Sequence, residues 1–352
     1  MTKRVGGRGG GAQVSDARQI IAIDVCAGAG GWAVAARGLP IHVALAVDNW
    51  DAACRTYEIN HPETTVLHAD LRDEATRASV LARCRELGGV DLVLGGIPCQ
   101  WLSVLRRIKI DKRGAVTEEE KERERATLTS VLGLVGDLAP RWWCLEDVIQ
   151  IVRELPEGTP HVVIDAQQYC GQRRKRAYVG VFPMPEPGHD ERVLGDYLRP
   201  GPYRVGRTAF DREPVRSRQF RQGHIYPDVK ERKASTVRRL TSNRDGELAL
   251  FRDGFNDLID LAEQKRKSPV VRVLGSRHDN DLNVEAWDLP TDRRQFEWQE
   301  LAALQGFPGN YVFFGSPTDT QAMIGNAVQI DTGRAILEAI VAEWRATGDA
   351  SP

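Results

Sequence analysis

Residues 20–33 read IIAIDVCAGAGGWA, and the fold follows from how this stretch is read. Ile20–Val25 is apolar apart from one carboxylate, Asp24, as suits a strand buried on both faces. Glycines at 28, 30 and 31 come next and let the backbone turn tightly into a helix near Trp32. A second apolar run, Val43–Val47, ends at Asp48, twenty residues after Gly28, where a carboxylate can meet a ribose diol. Asp70 stands where a third strand would end and is positioned for an adenine amine. The loop alone fits three readings: a nucleoside-type methyl donor, a dinucleotide, or a plain strand-to-helix turn.

Further apolar runs at Leu92–Leu94, Trp142–Leu145 and Tyr178–Phe182 alternate with stretches suited to helices, Ala52–Ile59 and Thr127–Leu138. Strands spaced by helices predict an α/β, Rossmann-like fold with a mostly parallel sheet covered on both faces. At Phe182 the segment FPMPEPG interrupts this pattern, which resumes near Phe296. A closing helix is expected, N-capped by Asp331, with Ile336, Leu337, Ile340, Val341 and Trp344 on one face. The expected organisation is a flexible basic tail over 1–18, one α/β domain over 19–185 plus 296–346, and an irregular second domain over 186–295.

The chain has 352 residues, 41% of them hydrophobic and 28% charged, with a formal net charge of −1. No apolar run approaches the roughly 20 residues needed to cross a bilayer, and the N-terminus lacks a signal-peptide core, so a cytoplasmic protein is expected. Cysteines at 26, 54, 84, 99, 144 and 170 show no C-x-x-C spacing, so no metal site is expected and each defaults to a reduced, buried thiol.

Cys99 departs from that default. VDLVLGGIPCQWLS places it just past a buried strand, after Gly95, Gly96 and Pro98, at the edge where open α/β sheets bind ligands. A thiol on a stiff turn is a candidate nucleophile if its pKa is lowered. RWWCLEDV brings Glu146 to the next strand end, and QYCGQRRKRAYVGVF sets Gln172, Arg173, Arg174, Lys175 and Arg176 before another strand. Taken singly, Glu146 reads as a helix N-cap acid and the arginine run as a solvated turn.

Together with Leu304-Gln-Gly-Phe-Pro308 and Gly325-Asn326-Ala327-Val328, these motifs resemble, in order, those of the DNA cytosine-5 methyltransferases. The resemblance implies the following roles. Cys99 adds to C6 of a flipped cytosine, Glu146 holds N3 and the exocyclic amine, and Arg176 with Arg174 donates to O2 or braces the glutamate. S-adenosyl-L-methionine lies against Asp24, Cys26, Ala27, Gly28, Gly30, Gly31 and Trp32. Asp48 and Asn49 face its ribose, Asp70 and Leu71 its adenine, and Pro98, Asn326 and Val328 the far side. A monomer acting on double-stranded DNA is expected, with restriction-modification as one setting.

One position departs from the family pattern: Asp147 stands where Glu-Asn-Val carries an asparagine, which braces the cysteine loop. That departure motivates one rival reading, a catalytically weak or altered-donor relative; an RNA cytosine methyltransferase is another, against which the large basic insertion favours duplex DNA. Residues 102–125 carry either a solvated loop and helix start with a Thr117/Glu120 capping box, or the family's mobile catalytic loop with Arg106, Arg107 and Lys109 near phosphates; the position directly after Cys99 favours the catalytic loop.

Residues 199–244 hold thirteen basic and four acidic side chains, a net +9, interleaved with Tyr203, Phe210, Phe220 and Tyr226. That composition suits phosphate contact and groove readout, with Arg216, Arg218, Arg221, Arg238 and Arg239 as DNA contacts. Reversing the charges at Arg216, Arg218 and Arg221 is expected to abolish DNA binding, and salt to weaken it steeply. Unchanged affinity in a filter-binding titration would remove the segment from the interface.

Overall fold

The computed structural model describes residues 18–97, 102, 117–192, 194–197 and 297–348, with the backbone of short strands at 234–237, 250–251, 258–260 and 272–274. The chain begins with β1 Ile20–Val25, α1 Gly31–Ala36, β2 Ile41–Asp48, α2 Asp51–Asn60, β3 Thr65–His68, α3 Glu74–Glu86 and β4 Leu92–Gly96. It continues through α4 Glu118–Leu138, β5 Trp142–Asp147, β6 His161–Asp165, β7 Gln172–Arg173 and β8 Lys175–Val181. Four short strands follow, β9 Ala234–Val237, β10 Leu250–Phe251, β11 Leu258–Asp260 and β12 Arg272–Leu274, before α5 Trp298–Gln305, α6 Pro317–Asn326 and α7 Ile330–Ala346.

Seven strands form one sheet in the order β3-β2-β1-β4-β5-β8-β6, all parallel except β8, which is antiparallel to both neighbours. The connection from Asp165 to Lys175 is too short for a parallel crossover, so β8 must return antiparallel to β6. β7 pairs with β9, which pairs in turn with β10.

The period-two alternation of β1 divides the core. Ile20 and Ala22 join the apolar layer of α1, α2 and the last three helices, whereas Ile23 and Val25 join that of α3 and α4. Residues from 297 onward therefore share a core with the first strand.

The helix ends show where local chemistry was legible. Thr117 and Glu120 form the expected reciprocal capping box, each bond 3.1 Å long. It starts α4 at Glu118, where the capping-box reading places a helix start and nine residues before the stretch from Thr127; Leu102 is buried, and residues 103–116 lie outside the described set. Asp331 is not the N-cap of α7. Gln329 is, its side chain accepting from the Thr332 amide at 2.8 Å, while Asp331 takes the Gln329 side-chain amide and pairs with Arg192. The apolar face from Ile336 to Trp344 is buried as expected. The strand β6 had no clear sequence signal, because its first three residues alternate exposed and half-buried at a sheet edge.

Candidate functional site

The loop after β1 depends on left-handed backbone. Gly28 has φ 55° and Gly30 φ 80°, and even Cys26 takes φ 51°. The loop is moored to β2, with the Ala27 amide donating to the Val47 carbonyl at 3.1 Å and the Gly28 amide to Asp48 Oδ2 at 2.8 Å. Asp48 Oδ1 accepts from the Trp50 amide at 2.8 Å. Val328 closes the other side: a Cβ on Gly31 would meet its Cγ1 at 3.0 Å. Asn326 ends α6 two residues earlier.

Three carboxylates bear on this loop. Asp24 is fully buried; the Tyr57 hydroxyl donates to its Oδ2 at 3.4 Å, and its Oδ1 has no hydrogen-bond partner. Burial holds the Asp24 carboxyl well above the usual carboxylate range. Burial also raises Asp48, against the pull of the amides it accepts from. Asp70 lies two residues past β3 and is gripped by Arg72, whose hydrogen bonds hold its carboxyl down at about 2. Asn49 reaches Asp70 at 3.5 Å, and the buried Leu71 offers its carbonyl to the Ser130 hydroxyl. Burial first, then Asp48, Asp24 and Asp70 in turn, pushes the Cys26 thiol up.

Trp32, at the start of α1, donates its indole N–H to the Gly95 carbonyl at 3.0 Å and so ties the loop to the end of β4. Gly95 has no room for a side chain: a Cβ there would sit 2.5 Å from the Val25 carbonyl oxygen. Gly95→Ala is expected to destabilise the protein by about 1–3 kcal/mol, read as a lowered thermal midpoint; an unchanged midpoint would refute this tight packing.

Glu146 lies opposite Gly96 in the β4–β5 register, and its carbonyl accepts from the Ile97 amide at 3.2 Å. The strand bearing this carboxylate therefore anchors the segment that leads to Cys99. Glu146 is only 4% exposed, and two arginines converge on its Oε1, Arg176 at 3.2 Å and Arg174 at 3.5 Å. Arg174 also donates to the Ala327 carbonyl at 3.1 Å, as does Gln305 at 2.6 Å, and Gln172 reaches Gln305 at 3.2 Å. This network joins β7 and the end of α5 to the residue between Asn326 and Val328. Gln305 thus enters the site from far along the chain; only the run Leu304–Pro308 signalled it. Asp147 is buried beside Glu146, and its Oδ1 accepts from the Val148 amide, a role an asparagine would fill equally.

The remaining thiols keep to the default. Cys54, Cys84, Cys144 and Cys170 are buried and none of the five described cysteines is bridged. Burial pushes Cys54 up to about 12 and Cys84 to about 11. Pro98, Cys99, Arg106, Arg107, Arg216, Arg218, Arg221, Arg238 and Arg239 lie outside the described residues.

A profile of C-5 cytosine-specific DNA methylases matches residues 20–179 and 205–342. The chain belongs to that family. Its relatives include the Type II methyltransferase M.HindV of Haemophilus influenzae, 22% identical over 91% of this chain and 95% of that protein. The Type II methyltransferase M.NgoMIV of Neisseria gonorrhoeae is 25% identical over 92% of this chain and 99% of its own length. In fold, the chain is similar to the S. pombe Dnmt2 methyltransferase, with a TM-score of 0.53, 16% identity, and coverage of 92% and 98% of the two chains. The glycine loop and the Glu146 cluster described above thus belong to a cytosine-5 DNA methylase with the fold of the S-adenosylmethionine-dependent methyltransferases. No helix among the described residues is long and apolar enough to cross a membrane.

Proposed function

We propose that this methylase moves a methyl group from S-adenosylmethionine to C5 of a cytosine flipped out of duplex DNA, through a covalent bond between Cys99 and C6. The observation that carries the reading is Glu146, a buried carboxylate held by Arg174 and Arg176 and tied through Ile97 to the approach to Cys99.

The chemistry of the loop fits the cofactor. Three carboxylates at one strand edge, one with a buried, unpartnered oxygen, suit a ligand with cationic centres, an amine and a diol. The Gly28 amide that a dinucleotide's diphosphate would need already serves Asp48. In this reading Asp24, Cys26, Ala27, Gly28, Gly30, Gly31 and Trp32 hold the methionine portion, Asp48 and Asn49 the ribose. Asp70 and Leu71 take the adenine, and Pro98, Asn326 and Val328 close the pocket. Arg72 must then share Asp70 with the base. When bound, S-adenosylmethionine supplies an electrophilic methyl group to C5.

The protein's own groups make C5 reactive. The Cys99 thiolate forms the bond to C6 and shifts the C5–C6 electron pair to C5 and the ring. Glu146 delivers a proton to N3, so the adduct forms without building negative charge. Arg174 and Arg176 occupy Oε1, which leaves Oε2 for the base, and their charge stabilises density at O2. After methylation, loss of the C5 proton to solvent re-forms the double bond and expels Cys99 as thiolate, and N3 returns its proton to Glu146. Extruding the base from the stack costs a few kcal/mol, and the +9 segment offers phosphate contacts to offset it. The Type II relatives suggest a bacterial cytoplasm and a restriction-modification setting.

Incubation with tritiated S-adenosylmethionine and duplex DNA, followed by sequencing of the product for 5-methylcytosine, tests the proposal. Label confined to cytosine C5 is expected. Absence of label in DNA favours a binding-only relative, and preferential labelling of RNA an RNA enzyme; either outcome overturns it.

A further inference from the structure

Beneath Gly30 lies a cluster with no part in the mechanism above. A Cβ on Gly30 would meet the Tyr311 hydroxyl at 3.0 Å, the Tyr57 ring at 3.1 Å and the His61 ring at 3.2 Å. Three rings thus form the floor of the glycine loop. The Tyr311 hydroxyl bonds to the Ala29 carbonyl, between the two left-handed glycines, and lies 3.3 Å from His61 Nε2.

Proton counting gives the Ala29 contact a direction. A carbonyl only accepts, so the single Tyr311 proton lies on the Ala29 side. The hydroxyl oxygen also lies within hydrogen-bond reach of His61 Nε2. Burial, aided by Arg37, lowers His61 to about 4 against the opposing charge and hydrogen bond of Glu63, 3.5 Å from Nδ1, so the ring is neutral near pH 7. The Tyr311 hydroxyl is thus held between His61 Nε2 and the Ala29 carbonyl.

Tyr311 is itself strapped in place by α2. The Asn60 side chain donates to the Val312 carbonyl at 2.7 Å and accepts from its amide at 3.0 Å, and Thr56 accepts from the Phe314 amide at 2.9 Å. A segment more than 280 residues downstream is thereby fixed against the loop carbonyl.

We propose that Tyr311, oriented by His61, is a positioning residue for the methyl donor, holding Ala29 and the flanking glycines in the shape that receives it. The inference rests on the functional reading above and adds to it two residues outside the catalytic motifs.

The test combines calorimetric binding of S-adenosylmethionine, methyl-transfer kinetics and thermal midpoints. Tyr311→Phe removes one oxygen without altering the packing, and is expected to raise Kd and KM for the donor about tenfold while kcat stays within about twofold. His61→Gln, which retains an N–H donor, should bind nearly as wild type, whereas His61→Leu should resemble Tyr311→Phe. A lowered midpoint with unchanged donor affinity in Tyr311→Phe would make the contact merely structural and overturn the proposal. A wild-type protein that binds no S-adenosylmethionine would instead sink the functional reading, and this inference with it.

Discussion

Cys99→Ser is expected to lower methyl transfer to duplex DNA by on the order of a thousandfold or more, with DNA binding retained. Cytosine C5 becomes nucleophilic only once C6 bears a substituent, and a serine hydroxyl is too weakly acidic to supply one near neutral pH. No described thiol can substitute. Cys144 is fully enclosed beside Glu146, and burial pushes it well above its usual range, as it does Cys26. The same chemistry predicts that duplex DNA carrying 5-fluorocytosine traps the wild-type protein: fluorine cannot leave C5 as the proton does, so the C6–S bond persists. A denaturing gel should show that adduct with wild type and none with Cys99→Ser. Similar rates for the two proteins would exclude a covalent mechanism through this residue.

Glu146→Gln has the second largest expected effect, a fall in kcat of about a hundredfold to a thousandfold. An amide cannot deliver the proton to N3, so addition to C6 would build charge on the ring. The substitution also leaves two nearly buried guanidinium groups without their shared carboxylate, at a cost in stability of about 3 kcal/mol. The two consequences separate experimentally: the thermal midpoint reports the arginines, and single-turnover rates on the folded variant report the proton. A variant with a lowered midpoint and an undiminished single-turnover rate would confine Glu146 to a structural role.

The departure at Asp147 looks different after folding. From the sequence, a carboxylate in place of the family's asparagine raised the prospect of a weakened enzyme. In the structure its Oδ1 serves the Val148 amide, an acceptor role common to both side chains. That contact supplies no reason for the acid itself.

Much of the architecture was readable because its signals are local. The run Ile20–Val25, the glycine loop, and the helix starting at Thr117 with its capping box each depend on residues a few positions apart. The edge strand β6 escaped, since a strand with one side in water carries no long apolar run. So did the N-cap of α7: Gln329 and Asp331 are both plausible acceptors, and Asp331 was drawn instead into contact with Arg192, 139 residues earlier.

The net charge of −1, uninformative as a whole-chain value, resolves by position into a +9 segment and 306 residues carrying −10, which brings DNA into consideration from sequence alone. Motif order likewise named the reaction, because its reactive groups sit in short runs at strand ends. Tertiary structure alone decided which oxygen of Glu146 the arginines occupy, that the Ala327 carbonyl joins Arg174 to Gln305, and that Tyr311 reaches Ala29. These contacts span up to 282 residues. A side chain's type records which bonds it can make, whereas its partner at such separations is set only when the sheet and its helices close around one core.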